Sequence, residues 1–184
     1  MKLLSCLRPD RQFNRKLEEN RARLYRIAYS WCHDPVLADD LAQETLAKAM
    51  KNSRQLRDCG AMDTWLFRIL TNLWNDHFRR NKGTLSIEDV ELASETTPES
   101  EYIKSETAVK VREAVGRLPA GQRQTLTLVD LEGFSYIEVA EILDIPIGTV
   151  MSRLCRARRA LKESLLVSDP AEAVEYSGRI RRVK

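Results

Sequence analysis

The sequence predicts an all-α protein made of two small helical domains joined by an acidic, flexible linker. Three observations carry this expectation. Apolar residues recur at three- and four-residue spacing through both halves, the spacing that builds one face of a helix. Glycine and proline fall where such runs stop, as at Pro119, Gly133 and Pro146. Between them the stretch "GTLSIEDVELASETTPESE" is rich in Ser, Thr and Glu, contains Pro98, and has too little apolar content to fold alone.

In the first half, "NRARLYRIAYSWC" sets Leu24, Ile27, Ala28 and Trp31 on one side of a helix. Asp34-Pro35 then marks a helix start, because Asp caps free amides and Pro fits the first turn, where its missing N–H costs nothing. Leu37, Ala38, Leu41, Ala42, Thr45 and Ala49 continue that helix to about Lys51. After a loop at "RQLRDCGAM", a third helix runs from about Asp63 to Arg80, with Leu66, Ile69, Leu70 and Leu73 on its inner side. Together these helices make a domain over residues 11–82, followed by the linker over 83–106.

The second domain, residues 107–167, begins with Ala108, Val111, Val115 and Leu118 and resumes after Pro119 through Thr125, Leu126, Leu128, Val129 and Leu131. Ser135 and Glu138 stand in the relation of a capping box, so a helix starts there, with Val139, Ala140 and Leu143 inward. Asp144 tolerates the left-handed backbone that closes a helix, and Pro146 prevents continuation. Another helix then starts near Gly148-Thr149. Helix, short turn and helix, with a small alanine at the crossing, is the helix-turn-helix pattern.

At about 100° per residue, Val150, Leu154, Ala157 and Leu161 share a sector of roughly 60° and must face the core. Ser152, Cys155 and Arg159 then project from the opposite side, flanked by Met151, Arg156 and Lys162, while Arg153 and Arg158 lie nearer the core boundary. Such a helix meets base edges with its N-terminal part and phosphates farther along. Arg156 suits a bidentate pair with guanine, Ser152 a base or phosphate, and Met151 and Cys155 a thymine methyl. Arg158, Arg159 and Lys162 suit phosphates and would make binding steeply salt-dependent. In the first half, "MDTWLFRILTNLWNDHFRR" interleaves Trp65, Phe67, Trp74 and Phe78 with basic groups, the combination single-stranded nucleic acid needs, while the same rings equally suit a bundle core, Trp65 and Phe67 above all.

The totals exclude several classes. The net charge of +3 announces no nucleic-acid partner by itself. Its distribution does, because residues 88–106 hold seven acids against Lys104 alone while the last helix is basic. No apolar run approaches the roughly 20 residues that span a bilayer, and Arg8, Asp10 and Arg11 interrupt the start before a signal core forms. A cytoplasmic protein without direct membrane insertion is expected. Cys6, Cys32, Cys59 and Cys155 have no paired spacing, so no metal site, no disulfide and no cofactor are expected. A hydrolase built on His77 with Asp76 or Asp63 would lack a nucleophile and a metal constellation. The chain is expected not to be an enzyme.

Three motifs in order carry a family resemblance: "DPVLADDLAQETLAKA", "TWLFRILTNLWNDHFRR" and "LPAGQRQTLTLVDLEGFSYIEVAEILDIPIGTVMSRLCRARRAL". They resemble regions 2.2, 2.3–2.4 and 4 of the extracytoplasmic-function group of bacterial sigma-70 factors, from roughly Leu24 to Leu165. The resemblance implies a promoter-specificity subunit that binds core RNA polymerase at its clamp and flap. It implies that the first domain captures the melted −10 strand and that the second reads the −35 duplex. By this match Asp40, Gln43 and Glu44 bind polymerase. The −10 set comprises Arg57, Asp58, Cys59, Met62, Trp65, Arg68, Asn72, Asn75, Arg79 and Arg80. The −35 set comprises Thr149, Met151, Ser152, Arg153, Cys155, Arg156, Arg158, Arg159 and Lys162. The acidic linker would thread the polymerase RNA channel as an RNA mimic, and an anti-sigma factor is an implied partner. Met151 and Cys155 depart from the family pattern, where Lys or Arg and a larger residue are common. The tail, residues 168–184, is assigned no role. A stand-alone helix-turn-helix regulator with a sensory N-terminal domain is the competing reading; it would need a ligand cavity and would bind duplex unaided.

Overall fold

The computed structural model describes residues 11–56, 58–82 and 106–168. The acidic linker between 83 and 105, the tail beyond 168 and Arg57 lie outside the described residues. Among those described, all regular structure is helical.

Helix α1 (Arg11–Cys32) and α2 (Pro35–Lys51) meet at a corner where His33 adopts a left-handed backbone, φ 55°. The Asp34 carboxylate accepts from the amides of Val36 and Leu37 at 2.8 and 3.1 Å, the cap that Asp34-Pro35 predicts. Two short 3₁₀ turns, Ser53–Gln55 and Cys59–Ala61, lead into α3 (Met62–Lys82). Leu24, Ile27, Trp31, Leu41, Leu66 and Leu70 are buried between the three helices.

The second half holds α4 (Glu106–Gly116), α5 (Ala120–Leu126), α6 (Tyr136–Leu143) and α7 (Ile147–Ser168). Past Leu126 the chain widens into a π-helical turn, Thr127–Leu131. There the Glu132 amide donates to the Thr127 carbonyl at 3.2 Å, five residues back. The Thr127 hydroxyl bonds the carbonyls of Arg123 and Gln124, which supports the widening. This turn corrects the periodic reading: the extra residue rotates Leu131 outward, leaving it 65% exposed, and brings the Glu132 side chain inward. Val111 is also exposed, and on α6 the buried pair is Val139 and Ile142, with Ala140 and Leu143 only half-buried.

The two domains pack against each other: one apolar cluster runs through both, and a second, of Leu118, Leu126, Leu154 and Ala157, lies within the second half alone. Helix α6 lies against α3, and the Phe134 ring meets the Phe67 ring edge-on at 5.0 Å. The Trp31 indole donates to the Thr127 hydroxyl at 2.9 Å. Arg123 donates to the Trp31 carbonyl at 2.5 Å, so a cation of the second half satisfies the C-terminal end of α1. Of the two roles the aromatic pattern leaves open, Phe67 and Trp74 take the core one, and neither ring is free to stack on bases.

Candidate nucleic-acid and polymerase interfaces

The helix-turn-helix forms from local rules. The Glu138 amide donates to the Ser135 hydroxyl at 3.3 Å while the Ser135 amide donates to the Glu138 carboxylate at 2.8 Å. At the other end Asp144 takes φ 52°, and the Ile145 amide donates to the Ala140 carbonyl at 3.1 Å. The carbonyl of Pro146 accepts from the amides of Thr149 and Val150, opening α7. Val150, Leu154 and Ala157 are buried, so the inward stripe on α7 lies where the 100° spacing puts it.

Met151, Ser152, Cys155, Arg156, Arg159 and Lys162 are exposed on α7, and Thr149 is half-buried at its start. Arg156 lies along the helix, its Nε 3.1 Å from the Ser152 carbonyl and its Nη2 3.3 Å from the Ser152 hydroxyl. These are exposed bonds that a base can replace. Arg158 differs, because it forms a fork with Asp130 of the π turn at 3.2 and 2.6 Å. That hydrogen bond, acting against partial burial and aided by the Asp130 charge, raises the Arg158 pKa. Arg153 is half-buried with its guanidinium against Gly121, closely enough that a methyl there would sit 3.0 Å from it. Arg159 makes a loose pair with Glu163 at 4.0 Å.

On α3, Arg68, Asn72, Asn75 and Arg79 fall at four- and three-residue steps and are all exposed, so they form one polar stripe. Half-buried Trp65 extends it toward the N-terminus. A shallow groove runs beside it, lined by Asn72, Asn75, Asp76, Phe78 and Arg79, with Asp76 and Arg79 paired. Arg80 is exposed but lies off the stripe, one residue beyond Arg79. Met62 is buried and anchors the helix start, so it does not present itself to a ligand. Asp58 accepts from the Gly60 amide at 2.9 Å and caps the turn before α3. The Cys59 side chain and Arg57 lie outside what is described.

Asp40, Gln43 and Glu44 are exposed on α2. Gln43 donates to Asp39 at 2.6 Å and Glu44 pairs with Lys48 at 3.1 Å. Exposed Val36 and Met50 sit at the two ends of this face, and sequence reasoning missed both. It also missed the residues that join the halves. Glu132 is nearly sealed from solvent and pairs with Arg23 at 2.7 Å and Arg26 at 3.3 Å. Burial works against the charge on Arg23, but bonds to Asp63 and Glu132 outweigh it and raise its pKa. Polar residues of the second half whose partners lie in the first give no periodic signal.

Residues 17–84 match the family model for sigma-70 region 2, and residues 108–161 match that for sigma-70 region 4. The chain is 36% identical to the ECF RNA polymerase sigma factor EcfG of Rhodopseudomonas palustris, over 79% of this chain and 80% of that one. It is 31% identical to the ECF RNA polymerase sigma factor SigW of Bacillus subtilis, over 78% and 83%. Among solved structures it is similar to the sigma factor RpoE of Bartonella quintana in complex with the anti-sigma factor NepR. That likeness has a TM-score of 0.71 at 29% identity and covers 86% of this chain and 99% of that one.

Proposed function

The chain belongs to the extracytoplasmic-function sigma factors, and from that premise we propose how its residues divide the work of a promoter-specificity subunit. As such a subunit it directs RNA polymerase to promoters, and the stand-alone regulator is not favoured, because the first half matches region 2. Our reading gives residues 11–82 to polymerase binding and the −10 strand, 83–106 to the linker and 107–167 to the −35 duplex.

On α7 we assign base reading to Met151, Ser152, Cys155 and Arg156, and phosphate contact to Arg159 and Lys162. The observation that carries this division is the buried stripe of Val150, Leu154 and Ala157, which leaves the basic side outward. Arg158 reaches a phosphate only by giving up Asp130. On α3 the stripe of Arg68, Asn72, Asn75 and Arg79 takes the melted strand, with Trp65 at its edge offering an aromatic edge for stacking. Arg80 contacts the backbone from the side. Asp40, Gln43 and Glu44, framed by Val36 and Met50, meet the basic clamp surface, and the second half meets the flap. The chain works in the cytoplasm and without an active site of its own. Because RpoE was solved with an anti-sigma factor, we extend an anti-sigma partner to this chain.

The test is reconstitution. The full chain is added to core RNA polymerase with a promoter library, and start sites are mapped. Initiation from promoters sharing two separated elements is expected. No initiation, together with tight and specific duplex binding by the chain alone, overturns the reading.

A further inference from the structure

At the start of α3 the structure shows a polar clamp whose residues the family match does not include. Asp63 is the second residue of that helix. One of its carboxylate oxygens accepts from the Arg23 guanidinium at 2.6 Å and the other from the Asn20 amide at 3.3 Å. Both donors belong to α1, so α1 grips α3 by its first turn. The donors are themselves fixed. Asn20 is buried, and its amide also donates to the Lys16 carbonyl at 3.0 Å while its carbonyl accepts from Arg23 at 2.8 Å. The Arg23 guanidinium lies over the Phe67 ring, 5.4 Å from its centre, and its Nε donates to Glu132 at 2.7 Å. Held on every side, it is a rigid post.

Immediately before Asp63 comes the turn over residues 58–61, where Asp58 of the −10 set accepts from the Gly60 amide. Leu56 and Met62 are buried at its two ends, while Asp58, Gly60 and Ala61 are exposed. Apolar burial fixes how deep the turn is rooted, but it is non-directional and does not set where the turn points. The bonds from Asp63 to α1 are directional. We propose that Asn20, Arg23 and Asp63 are positioning residues for −10 recognition, holding the 58–61 turn and the first turns of α3, with Trp65 and Arg68, in the arrangement that selects a base. The inference rests on the −10 reading of α3. A turn that is competent only part of the time binds its preferred base more weakly by that fraction, while bases that make no use of the turn lose nothing. Loss of the clamp therefore flattens discrimination.

The test uses holoenzyme made from the full chain and core RNA polymerase, with one promoter library randomised in the −10 element and another in the −35 element. Transcripts are counted by promoter sequence. Asp63→Ala should lower the preference at one or two neighbouring −10 positions by about two- to tenfold, the range one net hydrogen bond carries, and leave the −35 profile unchanged. Asp63→Asn keeps an acceptor for Arg23 and should fall between Asp63→Ala and wild type. Asp34→Ala removes the cap of α2 and so weakens the same half elsewhere, and it should keep the wild-type −10 profile. Equal flattening by Asp34→Ala overturns the proposal, because general stability would then explain the effect. An unchanged −10 profile in a folded Asp63→Ala chain also overturns it, and where Asn72→Ala does change the profile the −10 reading itself stands. If neither substitution changes the profile, the −10 reading falls and takes the proposal with it. Should Asp63→Ala fail to fold, Arg23→Lys decides: it keeps the charge but lacks the fork that holds Asp63, Asn20 and Glu132 together, so it should flatten the same positions, and an unchanged profile overturns the clamp.

Discussion

Replacing Thr127 by Val isolates one bond across the junction. Thr127 is completely buried and Trp31 is 1% exposed, and the indole N–H has the Thr127 hydroxyl at 2.9 Å as its acceptor. Valine has nearly the same shape and the same β-branching, so packing and helix propensity change little. The loss is chemical. A buried donor without an acceptor costs about 1–3 kcal/mol, a factor of about 5–150 in an equilibrium. Trp31 belongs to α1 and Thr127 to the π turn, so the penalty exists only while the halves are closed. Once they part, water takes the N–H. The cost should therefore appear in the opening equilibrium and not in the melting of either half.

The assay is exchange of the Trp31 indole proton, followed by nitrogen-15 NMR. Thr127→Val should speed that exchange about 5–150-fold, while exchange of the core amides of α2 and of α7 stays within about twofold of wild type. Thr127→Ser keeps the acceptor and should leave the indole nearer wild type. An unchanged indole rate in a folded Thr127→Val chain would refute the reasoning, because the bond would then hold nothing across the junction.

Three further outcomes follow from the same geometry. Arg156→Ala should cost about 1–3 kcal/mol at a single −35 base pair, whereas Arg159→Ala should weaken all duplexes alike and flatten the salt slope by about one unit; binding to a set of point-mutated promoters at two salt concentrations separates them. Asp130→Asn frees the Arg158 fork, so holoenzyme carrying it should bind duplex more tightly and with a steeper salt dependence, and an unchanged slope excludes Arg158 from phosphate contact. Burial, then the nearby Arg123 charge, lowers the His33 pKa in the closed chain, where the ring lies against Gly116 of α4, Arg123 of α5 and Tyr29 and Asp34 of its own corner. The closed state therefore has its full stability above the ordinary histidine value of about 6.5 and loses it as pH falls below that, so interdomain tumbling should loosen between pH 7 and 5.5 in wild type and not in His33→Gln.

Much of this was legible in the sequence because it is local. The Ser135–Glu138 box, the Asp144 turn and the Val150, Leu154, Ala157 stripe each depend on residues within a few positions, and each lies where spacing puts it. Leu131 was misread because a π turn cannot be seen in a period of 3.6: one inserted residue exchanged the environments of Leu131 and Glu132. Phe67 and Trp74 stay open between two roles in the sequence for a different reason. Aromatic residues interleaved with arginine fit a nucleic-acid surface and a buried core equally well, and only Phe134, 67 residues farther along, decides that Phe67 belongs to the core. Ile142 is buried in the core that the two halves share, which periodicity within one half cannot report.

Helix α5 and the π turn meet the first half through polar side chains. Arg123, Gln124 and Thr127 are buried, yet each is polar and each has a partner in the first half: the Trp31 carbonyl, Asn75 and the Trp31 indole. A junction meant to be permanent gains most from apolar side chains, since burying polar groups returns little net stability once their lost hydration is counted. Here the apolar contacts lie between α6 and α3, where Phe134 meets Phe67, and the polar ones fix how α5 and the π turn sit on α1. The Arg123 guanidinium shows the compromise: burial lowers its pKa and its Nε has no hydrogen-bond partner, while its other nitrogens complete three backbone carbonyls. Such a group stabilises the junction only modestly, so the apolar burial of Phe134, Val139 and Ile142 against the first half carries most of its stability.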